Sequence, residues 1–239
     1  FGTLTLNQRK PFFQKYGWTQ ALQYNGNALS TRYDGLQTKV EKRFSKGLGL
    51  LGHYTWGRAF SYVPAYFTVD PKLAYGPLIT QHQQEYVFAP MWELPMGKGH
   101  RFLGNSRLGD MVLGGWQMNG IYTWMSGLPF TPSYQNCNSD RDTGPCRPDV
   151  VGDPYASNPS QFGWFNPSPA LLTANGQIGG PWRRPQRGTF GSIGMNRLFG
   201  PSFAQLDWSM FKRFTFKEER YNVQFRVEAY NLLNHSNLG

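Results

Sequence analysis

Cysteine is scarce: two residues in 239, too few for a disulfide scaffold. Acidic side chains are also few, 14 Asp+Glu against 24 Lys+Arg, which leaves a net charge of +10. Charged residues make up only 16% of the chain, below the roughly 25% typical of soluble domains. Ala, Glu and Leu are too sparse, and Gly (28) and Pro (17) too frequent, for a helix bundle. No stretch approaches the ~18 uninterrupted apolar residues of a membrane-crossing helix. No charged start followed by an apolar run marks the N-terminus as a signal peptide. What is abundant is aromatic: Phe, Tyr and Trp supply 16% of the residues, which argues against disorder. The composition leaves an all-β chain with long loops, either secreted or in an outer membrane.

The positive charge does not read as a nucleic-acid footprint. Its carriers (Arg9, Lys10, Lys39, Lys42, Arg43, Arg101, Arg107, Arg183, Arg184 and Arg187) are spread along the chain, with no reader motif around them. A surface bathed in anionic lipid headgroups suits the same charge. Both ends, Phe1-Gly-Thr-Leu and Asn234-His-Ser-Asn-Leu-Gly239, look cut, so a fragment of a longer protein is expected.

Side-chain alternation with a period of two marks half-buried strands. In Arg32 to Arg43, Leu36, Thr38 and Val40 alternate with Gln37, Lys39 and Glu41. After a short turn at Ser45-Lys-Gly47, Leu48 to Trp56 alternates again, which predicts a hairpin. A third strand is predicted from about His82 to Leu94, with Tyr86, Phe88 and Trp92 on one parity and Glu85, Val87 and Glu93 on the other. Pro90 counts against this strand, since proline cannot donate to the ladder. A Gly-rich turn (Pro95 to Gly109) leads to a fourth strand, Leu113 to Ser126, on which Trp116, Met118, Gly120, Tyr122 and Trp124 oppose Gln117, Asn119, Ile121 and Thr123. The fifth, Phe203 to Phe214, sets Leu206, Trp208 and Met210 against Gln205, Asp207 and Ser209. The sixth sets Val223, Phe225, Val227 and Ala229 against Asn222, Gln224, Arg226 and Glu228.

The connections alternate between short and long, with long loops at about 57–80 and 127–201. Strands of about ten residues, apolar on one parity and polar on the other, with long loops on one rim, are the signature of a transmembrane β-barrel. Aromatics near the strand ends (Tyr54, Trp56, Trp92, Trp116, Tyr122 and Trp124) suit interfacial girdles. The expected fold is therefore all-β: an antiparallel transmembrane β-barrel segment of about six strands from a larger barrel, with long extracellular loops. The apolar stripes would face outer-membrane lipid, and Gln224, Arg226 and Glu228 the lumen. A soluble secreted β-protein that binds carbohydrate through loop aromatics, or an enzyme with a loop-built site, would give similar alternation.

Several local patterns bear on chemistry. Gly47-Leu-Gly49-Leu-Leu-Gly52 matches a dinucleotide fingerprint literally, with Asp70 downstream, but His53-Tyr-Thr-Trp follows where a helix is required. No nucleophile elbow and no zincin motif occur, the four histidines (His53, His82, His100 and His235) are dispersed, and Glu85 and Glu93 read as solvated lumen carboxylates. No catalytic residue and no cofactor is assigned. Asn138, Asp140 and Asp142 alternate before Gly144 in the manner of a calcium loop, but the distal glutamate is missing; a solvated loop tip explains them equally. Cys137 and Cys146 lie close enough to clamp their loop as a disulfide in an oxidising compartment, the alternative being two free thiols. Trp164, Trp182, Arg183 and Arg184 are candidates for stacking on a sugar or clamping an anion; packing within the loop is the alternative.

Whole segments also carry a resemblance. RKPFFQKYGWTQALQYNGNALSTRYDGLQTKVEKRFSKGLGLLGHYTWGRAF (Arg9 to Phe60), ELPMGKGHRFL (Glu93 to Leu103), VLGGWQMNGIYTWMSGLPFTP (Val112 to Pro132), CRPDVVGDP (Cys146 to Pro154), FGSIGMNRLFGPSFAQLDWSMFKRF (Phe190 to Phe214) and QFRVEAYNLLNHSN (Gln224 to Asn237) occur in order. Together they resemble the barrel of Oar-like TonB-dependent receptors, outer-membrane proteins that often carry a carboxypeptidase-regulatory-like domain at the N-terminus. The resemblance implies a barrel of about 22 strands closed by a plug domain, of which this chain supplies a C-terminal part without the plug or the last strand. It also implies active uptake, driven through TonB, of a bulky small ligand such as an oligosaccharide, a peptide or a metal chelate, in the outer membrane of a bacterium. The implied partners are lipid, the rest of the barrel and plug, TonB and that ligand, with no nucleic acid.

Overall fold

The first hairpin forms where the alternation demands it. Strands β1 (Arg32–Ser45) and β2 (Leu48–Tyr62) pair antiparallel around a two-residue turn. Lys46 and Gly47 both have positive φ there (52° and 76°), the turn whose twist matches that of the flanking strands. The ladder slips once, between Lys42 and Ser45, and the Lys42 ammonium folds back onto the carbonyls of Ser45 and Leu48.

The computed structural model describes residues 5–20, 27, 29–62, 70–97, 102, 107–132, 147–166, 180–186, 189–216 and 221–238. Two compact units emerge, Phe1–Ser30 and Thr31–Gly239. The first holds helices α1 (Leu6–Arg9), opened by a Thr5/Gln8 capping box, and α2 (Pro11–Tyr16), which starts on proline and ends on Gly17 in the left-handed region.

The second unit is organised by one sheet. After β2 come helix α3 (Pro71–Ala74), capped by the Asp70 side chain, and the short β3 (Tyr75–Pro77), which pairs with the far end of β2. Strand β4 (Gln84–Glu93), helix α4 (Arg107–Leu113) and strand β5 (Trp116–Met125) follow. Six short strands follow among the described residues: β6 (Pro129–Phe130), β7 (Asp149–Val150), β8 (Tyr155–Ser160), β9 (Gly163–Phe165), β10 (Trp182–Arg183) and β11 (Leu198–Phe199). It closes with β12 (Phe203–Phe216) and β13 (Tyr221–Ala229). The long strands lie in the order β1-β2-β4-β5-β12-β13, every neighbour antiparallel, so the sheet is a meander with edges at β1 and β13. A ten-residue strand such as β4 runs about 33 Å, and at the ~40° tilt of membrane barrels it rises about 25 Å, the height of their apolar band.

Five registers fix one parity across all six strands. Val40 faces Gly52, Gly52 faces Phe88, Phe88 faces Tyr122, and Tyr122 faces Leu206. Two rows nearer the short turns, Leu48, Trp92, Met118, Met210 and Val227 line up in the same way. This face is apolar from edge to edge, and nothing among the described residues forms a core over it. Val223, Phe225 and Val227 are 55%, 53% and 41% exposed, where a compact soluble core would hold them dry.

Four features depart from the sequence reading. Strand β2 continues to Tyr62, past the loop start read at residue 57, because Arg58–Tyr62 still pair with Arg32–Asp34 or with β3. The fourth strand begins at Trp116, not Leu113, because residues 107–113 are helical. Pro90 sits in an interior strand: the ladder to β5 lapses at Ala89 and Pro90 and resumes in the same register at Met91, opposite Asn119. The long loop is not structureless. Its described residues include three two-stranded ladders, β6–β11, β7–β10 and β8–β9, which form a cap at the long-loop rim.

Candidate functional site

The opposite parity of the same strands builds a hydrophilic wall. Residues i and i+2 stand on one side of a strand, about 7 Å apart, within reach of long side chains. The wall uses that spacing repeatedly. Lys39 pairs with Glu41 at 2.7 Å, Arg226 with Glu228 at 3.2 Å, and Gln117 donates to Asn119 Oδ1 at 3.2 Å. Gln205 Nε2 donates to both carboxylate oxygens of Asp207 at 2.9 and 3.0 Å. Exposed ion pairs of this kind contribute about 0–1 kcal/mol each. They therefore do not hold the sheet together; they keep this side wet and densely furnished with donors and acceptors.

Leu51, Val87 and Ile121 are apolar members of this wall, and Phe211 is another. It is buried beneath two guanidinium groups, with Arg226 Cζ 5.4 Å and Arg213 Cζ 5.8 Å from its ring centroid. Asp207 also holds the backbone beyond the sheet, since its Oδ1 accepts the Asn231 N–H at 2.9 Å, where β13 has ended. Leu232 N donates to Leu206 O at 2.7 Å and Ala204 N to Asn237 Oδ1 at 2.9 Å, so the chain after β13 stays beside β12. The Tyr230 hydroxyl donates to Glu228 Oε2 at 3.1 Å. Asn119, Asp207, Ser209, Glu228 and Tyr230 line a hollow of about 280 Å³.

The cap at the long-loop rim has its own packing. Trp182, Ile193 and Leu198 form a buried cluster with Phe130, Val150, Tyr155 and Phe165 against it. A second cluster joins Ala74 and Met195 to Tyr62, Leu73 and Phe190. Asn196 ties the two long loops together. It is buried, holds φ at 53°, donates Nδ2 to Pro77 O at 2.7 Å, and exchanges hydrogen bonds with the Thr131 hydroxyl. Arg147, also buried, reaches Leu73 O from Nη1 at 3.3 Å. Close backbone approach requires glycine at Gly127, where the Gly200 carbonyl occupies the place of a Cβ, and at Gly191, where the Arg147 carbonyl does.

The residues singled out in the sequence fall into three groups. Trp182 is 7% exposed, its Nε1 donating to Asn166 O at 3.2 Å, so its ring faces are packed inside the cap. Arg183, next to it, is exposed opposite Asp149 in the β7–β10 ladder, and Arg184 is half-buried. Trp164 donates Nε1 to Phe199 O at 3.3 Å and lines a cavity of about 340 Å³ with Gln161, Pro201, Ser202 and His235. Trp164 and the Trp182–Arg184 run thus belong to one cap, but only Trp164 lines this cavity. Asn138, Asp140, Asp142, Cys137 and Cys146 lie outside the described residues. The glycine fingerprint forms a hairpin turn and the strand β2, and Asp70 caps α3, so no dinucleotide site exists there. Asp207, Phe211 and Asn196 carry no local signal in the sequence, because only register and tertiary contact give them their roles. Leu108, Met111 and Val112, spaced i, i+3, i+4, are the signal that could have found α4.

A sheet whose one face is apolar and exposed, and whose other face is hydrophilic, belongs in a membrane wall: lipid cannot satisfy a backbone, so spanning strands must be paired along their length. The chain belongs to the outer membrane beta barrel domain family, whose model matches residues 2–239. It is a membrane β-barrel protein of the outer membrane. No curated protein and no solved structure matches it. Its outer-membrane location and its uncovered apolar face overturn the soluble secreted alternative.

Proposed function

We propose that this chain is part of the barrel of a TonB-dependent outer-membrane receptor that takes up a bulky ligand, and that it acts as a transporter wall rather than as an enzyme. The observation that carries the reading is the largely hydrophilic face, with ion pairs from Lys39–Glu41 on β1 to Arg226–Glu228 on β13, combined with a folded cap at the long-loop rim. In outer-membrane barrels long loops face outward and short turns face the periplasm. The cap therefore meets ligand first, and the wall guides it inward. Trp164 with Arg183 and Arg184 is the capture surface, suited to a sugar ring or an anionic chelate. Edges at β1 and β13 require further strands for closure, and a plug would gate the lumen; both come from the rest of the receptor.

The test uses whole cells with and without the full-length protein, offered ferric citrate, casein peptides and malto-oligosaccharides. One ligand class is depleted only when the protein is present, and a protonophore stops the depletion. Depletion that continues under the protonophore would make this a passive pore; no depletion of any class would remove the uptake reading.

A further inference from the structure

The short-turn rim holds a feature that neither the wall nor the cap explains. Lys212 lies on the apolar parity of β12, paired with Trp116 on β5 and Phe225 on β13, yet it is only 5% exposed. Its ammonium donates to Asp110 O at 2.9 Å and Met111 O at 2.7 Å, and sits 5.1 Å from the Phe214 ring centroid. Trp116 Nε1, from the same face, donates to Val112 O at 2.8 Å. These acceptors are carbonyls of the last turn of α4, which the helix itself leaves short of partners. The last turn of α4 is therefore held against the outer, apolar face of the sheet, not over its lumen. Gly114 N also donates to Asp110 O at 3.0 Å.

Two further facts give this arrangement a direction. Met111, Val112 and Leu113 are 66%, 60% and 45% exposed, an apolar patch continuous with the outward face of the strands. In water, carbonyls at a helix end need no protein donors, whereas at an apolar boundary each one without a partner is costly. Lys42 follows the same pattern at this rim, its ammonium folded onto the carbonyls of Ser45 and Leu48.

We propose that α4 is an interfacial anchor: it lies along the outside of the wall at the short-turn rim and inserts Met111, Val112 and Leu113 among the acyl chains of phospholipid just below the headgroups. The cation of Lys212 and the indole of Trp116 supply donors to the carbonyls of Asp110, Met111 and Val112, so this helix end can leave water with those groups met. The occupant is lipid because the patch continues the lipid-facing surface of an outer-membrane protein. The inference rests on the outward assignment of the apolar parity, and it is independent of any transported ligand.

The test places photoreactive benzoylphenylalanine at Met111, Val223 or Gln224 of the full-length protein, reconstituted in vesicles of phosphatidylethanolamine and phosphatidylglycerol. Met111 and Val223 adducts carry phospholipid, and Gln224 adducts do not. Phospholipid at Val223 with protein or no adduct at Met111 overturns the anchor alone. Absence of phospholipid at Val223 overturns the outward assignment and the anchor with it. Quenching supplies a second readout: a fluorophore attached at Met111 is quenched more by lipid brominated near the headgroup than by lipid brominated near the chain end. The reverse order, or no quenching, also overturns the proposal.

Discussion

Phe88 and Val87 are adjacent, both apolar, and on opposite sides of one strand. Phe88 stands between Gly52 and Tyr122 on the outward face, in the middle of β4, with Tyr86 stacked 6.3 Å away. Val87 stands between His53 and Thr123 on the hydrophilic wall. An arginine near the middle of a lipid-facing strand costs about 2–4 kcal/mol, whereas one in an aqueous lumen keeps its water. Comparing each arginine with alanine at the same site removes the contribution of the lost side chain. Phe88→Arg should therefore be about 2–4 kcal/mol less stable than Phe88→Ala, roughly a 30- to 700-fold shift in the folding equilibrium. Val87→Arg should differ from Val87→Ala by less than about 1 kcal/mol. The assay is reversible guanidinium unfolding of the full-length protein in phospholipid vesicles, followed by tryptophan fluorescence. A charge penalty at position 87 equal to or above that at 88 would refute the assignment of faces.

Other consequences follow from particular contacts. Asp207→Ala removes the acceptor for Asn231 N and the Gln205 amide; bonds to a charged group are worth about 1.5–3 kcal/mol, so exchange of the Asn231 amide should rise roughly 10- to 100-fold, and unchanged exchange would show that Asp207 does not hold this segment. Gly127→Ala drives a Cβ into the Gly200 carbonyl; it should loosen the cap by about 1–3 kcal/mol, seen as faster protease cleavage within residues 127–201 on intact cells. Trp182→Ala should empty the cap core at a cost of about 3–5 kcal/mol, read by the same cleavage, while Trp164→Ala should leave cleavage nearly unchanged and weaken ligand capture. If the two substitutions act alike, the division between a packing and a lining tryptophan is wrong.

The local sequence by itself determined the six long strands and the two faces of each. Alternation is a one-dimensional property with a period of two, so Leu36-Thr38-Val40 and Val223-Phe225-Val227 announce a side before any partner is known. The turn at Lys46-Gly47 was legible for the same reason: two residues carry its chemistry. The tertiary structure decided what lies far apart in the chain. Only the registers reveal that one parity is apolar across six strands, and only contact shows that Trp182 is core while Trp164 lines a cavity. Asn196 meets Pro77, and Lys212 meets the end of α4, across separations that no local pattern encodes. Propensity and periodicity act between neighbours along the chain. Burial, closure and the pairing of buried polar groups depend on which distant segments the folded sheet brings together.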